Sequence, residues 1–181
     1  VSDDSAHIGA VKAWAAEHHL PAAATDRWLA LKPADALAIL EVARELRLRT
    51  AQMLNMLELL DEIGVREGQG AAKIVARDEL RRTICGAGSR PARASAFMEK
   101  LRELRYPRLA RARANLESAV AAMRLPRGLT VVLPKDLSSD ELMVRLTAHS
   151  ASELDKLLQA LVDNRQQIAA LIEKLGGSDE I

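Results

Sequence analysis

Apolar residues recur along most of this chain at the three-and-four spacing of helices that bury one face. Leu37, Ile39, Leu40, Val42, Ala43 and Leu46 form one such stripe, and Met53, Leu54, Met56, Leu57, Leu60 and Ile63 form the next. The pattern returns at Leu109, Ala112, Leu116, Ala119, Val120 and Met123, at Leu154, Leu157, Leu158 and Leu161, and at Ile168, Leu171, Ile172 and Leu175. Short helices are expected over 7–19, 71–76 and 78–84. The period changes at Leu129–Leu133 and Leu142–Thr147, two short, partly β-branched runs joined by a turn-rich connection. These predict a hairpin. The fold class expected is mainly α (α+β): a helical N-terminal bundle, then helix–strand–strand–helix with a short antiparallel hairpin.

Local signals place the ends of these elements. Pro33 suits a first helical turn, where its missing N–H costs nothing. Thr50 reads as the cap of the following helix and Gly64 as its stop. Residues 21–26 read as a joint, with Trp28, Leu29 and Leu31 as anchors beside it. A long helical pattern over 92–123 meets Pro107, which must kink it or split it into two, with Pro107 opening the second. Ser150 and Glu153 have the spacing of a capping box. The run Cys85-Gly86-Ala87-Gly88-Ser89-Arg90-Pro91 is the clearest break in the chain. It divides the sequence into a helical region 1–85, a linker 86–91, and a region 92–181 holding the long helix, the hairpin and the C-terminal helices.

Composition narrows the function classes. Of 181 residues, 49% are hydrophobic but only 2% aromatic, which offers little for base stacking on exposed rings. The net charge is +1, yet eleven basic residues face four acidic ones between Arg77 and Arg113. That local excess bears on partners more than the mean does. The single cysteine, Cys85, allows no intrachain disulfide and fits a reducing, cytoplasmic setting. No apolar run approaches a membrane span, and the start lacks the look of a signal peptide. A first residue of Val reads as a processed protein or an excised piece of a longer one.

Arg102, Arg105, Arg108 and Arg111 fall at steps of three, with Arg113 just off them. On one continuous helix each step turns about 300°, so the four would form a slowly drifting stripe. Arginine's planar fork suits phosphate, and such a helix can follow a DNA or RNA backbone without reading its sequence. The competing readings are a solvated face paired to Glu99 and Glu103, an acidic protein surface, or a lipid headgroup. Residues 34–47 and 51–63 have the scale of a helix-turn-helix. The second of them offers only Gln52 and Asn55 to a base edge, and reads better as a buried or interface helix through Met53, Met56 and Leu57.

Candidate chemistry is sparse. His7 and His18 share a helical face, but no cysteine or carboxylate set at metal-ligand spacing joins them. Cys85 has basic neighbours, yet only the distant His149 could serve as its base. Gly86-Ala87-Gly88-Ser89 lacks the preceding strand and the Gly-Lys-Ser/Thr ending of a phosphate loop. Asp35, Glu41, Asp61 and Glu62 read as exposed helical charges. No catalytic residue, metal ligand or cofactor is assigned.

The segment Leu142-Met143-Val144-Arg145-Leu146, followed by Ser150-Ala151-Ser152-Glu153-Leu154-Asp155-Lys156-Leu157-Leu158, resembles the tail domain of ParB-type chromosome-partitioning proteins. The likeness covers about residues 106–161, less than a third of the chain. It implies dimerisation by strand pairing and helix packing, here through Val131, Leu142 and Val144, and nonspecific DNA binding by basic residues. The hairpin offers only Arg127, Lys135 and Arg145 for that role, and the basic weight lies on the preceding helix. The family's nuclease-like region has no counterpart. The function expected is a noncatalytic nucleic-acid-associated domain of a larger or oligomeric protein. The alternatives are a helical protein–protein or homodimer module, and an accessory domain of an enzyme whose active site lies elsewhere.

Overall fold

The structure, a computed structural model, describes residues 2–134, 137 and 141–176. Among the described residues the chain is mainly helical, with one short antiparallel hairpin. It divides into two compact units, 1–105 and 106–181.

The first unit holds seven helices: α1 (Ser2–Glu17), α2 (Ala22–Leu29), α3 (Pro33–Leu46), α4 (Thr50–Glu67), α5 (Ala71–Val75), α6 (Asp78–Cys85) and α7 (Arg90–Arg105). The stripes of α3 and α4 meet in one core with Phe97, Met98 and Leu101 of α7. Trp28 is fully buried, its indole Nε1 donating to the carbonyl of Ala36 at 3.1 Å. The ring therefore takes hydrophobic area into the core without stranding its N–H. Trp14 meets Trp28 edge-on at 5.6 Å and stacks with the His18 imidazole at 3.9 Å.

Several expectations are corrected in this unit. Residues 21–26 do not form a joint, because Pro21 stands at the N-cap and α2 begins at Ala22. Helix α4 does not stop at Gly64. It runs to Glu67 and ends at Gly68, which adopts φ 65°. A glycine in the left-handed conformation is a common helix stop, and Gly68, not Gly64, takes that conformation. Thr50 is the first residue of α4 and Arg49 its cap; the Thr50 hydroxyl donates instead to the carbonyl of His18 at 2.6 Å. Residues 86–91 do not separate domains: α7 packs on α3, α4 and α6, so its apolar face belongs to the first core. Met53, Met56 and Leu57 are likewise core residues, not an interface. They fill the centre of this unit because α4 is covered by α2, α5 and α7.

The second unit opens with α8 (Pro107–Ala122), continues through β1 (Leu129–Val132) and β2 (Met143–Leu146), and closes with α9 (Ala151–Asp163) and α10 (Arg165–Gly176). Pro107 occupies the first turn of α8, the position where a proline sacrifices no helical hydrogen bond. The strands pair Leu129 with Leu146 and Val131 with Val144 on the inner face; Thr130 with Arg145 and Val132 with Met143 lie outside. Gly128 sets the entry to β1 at φ 93°, and its carbonyl accepts from Thr147 N at 2.7 Å. Ser150 caps α9 by accepting from Glu153 N at 3.1 Å. The Glu153 carboxylate accepts in return from His149 N at 2.7 Å, one residue before the cap. Leu116, Met123, Val131, Ile168, Leu171 and Leu175 make this unit's own core.

Candidate nucleic-acid interface

The five arginines expected at the site do not lie on one helix. Arg102 and Arg105 belong to the end of α7, in the first unit; Arg108, Arg111 and Arg113 belong to α8, in the second. The step-of-three pattern is interrupted at Tyr106, whose non-helical backbone (φ −120°, ψ 65°) closes one helix and precedes the next.

Three of the five are engaged in ion pairs. Arg102 donates to Glu99 at 3.2 Å, one turn earlier on its own helix. Arg105 is bonded to Glu62 of α4, so it ties α7 to the core helix beside it. Arg113 donates to Glu117 at 2.8 Å. Other basic residues of this stretch are also structural. Arg77 is held by Glu67 and Gln69, while Arg93 reaches Glu45 and the carbonyl of Ile84.

Arg108 and Arg111 differ. Both are exposed, and neither forms an ion pair among the described residues. The core face of α8 is marked by Leu109, Ala112, Leu116 and Met123. At 100° per residue, Arg108, Arg111, Asn115 and Ser118 then fall together on one flank. All four are exposed. The Arg113–Glu117 pair lies on the other flank, where it borders a groove of about 390 Å³ with Val120, Val131 and Val132. The first flank is thus a row of hydrogen-bond donors about 15 Å long and free of acids, at 1.5 Å rise per residue. Asn115 and Ser118 escaped the sequence reading, which followed arginine spacing alone. Phasing the helix on Leu116 would have found them.

Charge is unevenly spread through the second unit. From Tyr106 to Pro134 there are five basic residues and one acidic; from His149 onward there are three basic and six acidic. Arg127 and Arg145 are exposed, and Lys135 lies outside the described residues.

The chain matches no protein-family model, and no curated protein or solved structure matches it.

The interface residues expected in the hairpin face inward. Val131 is buried in the second core, and Leu142 and Val144 pack partly buried against it. The exposed apolar residues are others: Val132 and Met143 on the outer face of the hairpin, and Leu154, Leu158 and Val162 in an i, i+4, i+8 row along α9, Val162 being 64% exposed. Among the described residues no three His, Cys, Asp or Glu converge, and no helix is long and apolar enough to cross a membrane. Cys85 is an exposed free thiol, and Ser89 of the glycine run accepts from Ala92 N at 3.4 Å, in the first turn of α7.

Proposed function

We propose that the chain is a noncatalytic nucleic-acid-associated module, and that it contacts the phosphate backbone through the outer flank of α8. The supporting observation is the acid-free donor row of Arg108, Arg111, Asn115 and Ser118. Arginine forks and neutral side-chain donors are the groups that hold phosphate oxygens, and they carry no base preference. The resemblance of residues 106–161 to a DNA-binding tail domain points the same way. The test is fluorescence anisotropy of the full chain on generic duplex DNA across a salt series. Replacing Arg108 and Arg111 together by Gln should weaken binding to all sequences alike. It should also flatten the log–log salt dependence by about 1.8, the value for two lost phosphate contacts. Absence of binding at low salt would overturn the reading.

A second reading, a homotypic or protein-interaction module, is favoured by the exposed row Leu154, Leu158 and Val162. Single-chain helices of a folded unit ordinarily turn such a row inward. Sedimentation of wild type against Leu158→Asp measures it: wild type should associate with concentration and the variant should not.

A further inference from the structure

The first unit carries a concavity that the α8 reading leaves unused. It lies between α3, α5 and α6, and its volume is about 640 Å³. Small-molecule sites commonly hold about 300–1,000 Å³. Its floor is apolar, made by Val42, Val75 and Ile84 with the alanines at 38, 72 and 76. Its rim is charged: Glu41, Arg44 and Glu45 come from α3 and Arg81 from α6, with the Cys85 thiol beside them.

The rim holds two acids and two bases, but they are not paired with one another. Glu45 is taken by Arg93, at 3.2 Å. Glu41, Arg44 and Arg81 form no ion pair among the described residues, although Glu41 and Arg44 stand one turn apart on α3. With Glu45 engaged by Arg93 from outside the groove lining, the two arginines Arg44 and Arg81 stand opposite one carboxylate without an ion pair, Glu41, and one guanidinium is spare. An apolar floor beneath one spare guanidinium is complementary to an apolar body bearing one negative charge. Arginine's paired N–H groups match a planar carboxylate in particular.

We infer that the groove between α3, α5 and α6 binds a small amphipathic carboxylate, its apolar body against Val42, Val75 and Ile84 and its anion between Arg44 and Arg81. Cys85 is the chain's only cysteine and stands in the groove wall, so its alkylation rate reports occupancy. Decanoate, well below its micellar range, is the probe, and N-ethylmaleimide is the uncharged thiol reagent. Decanoate should slow alkylation of Cys85 in the full chain saturably, and decyltrimethylammonium, with the same tail and the opposite charge, should not. Arg81→Gln and Arg44→Gln, both at exposed positions, should each raise the half-protecting concentration by about tenfold, the loss of one charge-assisted contact. Ala76→Trp, which fills the groove, should abolish the difference between rates with and without decanoate. The inference is overturned if decanoate leaves the rate unchanged, if the cationic amphiphile protects equally, or if the two arginine variants are protected like wild type. None of these outcomes depends on DNA binding, so the groove and the α8 flank stand or fall separately.

Discussion

The guanidinium of Arg66 donates to the main-chain carbonyl of Arg105 at 2.6 Å, closing the end of α7 from a helix 39 residues earlier in sequence. Its second nitrogen donates to Leu104 O at 2.7 Å. The last carbonyls of a helix have no partner within it, and a cationic side chain there also meets the negative end of the helix dipole. Arg66→Ala should lower stability by about 1.5 kcal/mol, the low end for charged hydrogen bonds because the side chain is partly solvated. Urea unfolding at neutral pH measures it; an unchanged midpoint would contradict the clamp.

Glu67 sits between two arginines. The hydrogen bond from Arg77, and after it that from Arg66, holds its carboxyl below the usual value near 4.5. A lowered folded-state value favours the ionised form on folding. That contribution is complete above about pH 4.5 and is lost as pH falls through the lowered value. Glu67→Gln should therefore be less stable than wild type at pH 7, and the gap should close in acid. Urea midpoints at pH 7, 5 and 3 would show it; a gap that widens on acidification would refute it.

The two flanks of α8 should respond differently. Ser118→Asp puts an acid on the donor row and should weaken duplex-DNA binding several-fold at low salt. Arg113→Gln removes a charge already committed to Glu117 and should change binding by less than twofold. Anisotropy titrations at one fixed salt concentration compare them. Equal losses would mean that the orientation of α8 does not govern binding.

Methionines separate core from surface. Met56 is fully buried, whereas Met143 is 58% exposed. Met56→Ala should cost about 2–5 kcal/mol, the range for emptying a packed site, and Met143→Ala within about 0.5 kcal/mol. Thermal or urea denaturation distinguishes the two.

Gly128 joins α8 to the hairpin in a conformation that L side chains rarely adopt. A Cβ there would lie 2.5 Å from Thr147 O, the carbonyl of the residue whose N–H bonds back to Gly128. Gly128→Ala should destabilise the second unit, seen as faster hydrogen exchange at Leu129 to Val132 with little change in α3 and α4. Uniform acceleration through both units would argue against their separate cores.

What was legible in the chain was local. Pro107 as a helix opener, Ser150 as a cap, and the switch to strands at Leu129 and Leu142 each depend on residues within a few positions. The short helix α2 was not legible, because Ala22-Ala23-Ala24-Thr25-Asp26 has no apolar periodicity until Trp28 finds its place in the core. Gly64 misled for a related reason: a glycine can also sit inside a helix, and here the left-handed turn that ends α4 comes at Gly68. The arginines show the same limit. Their spacing was visible, as was pairing with Glu99 and Glu117 at one turn. The partner of Arg105 is Glu62, 43 residues away, and no local pattern announces it.

The division at Tyr106 has an evolutionary consequence. The two apolar clusters share no member: the packing written before Arg105 and the packing written after Pro107 draw on separate residues. A recombination crossover at that codon would deliver either half whole. The stretch from Tyr106 onward, 76 residues with its own core and its own basic helix, is thus a portable cassette, and grafting it behind another helical scaffold would carry the donor row of α8 along intact.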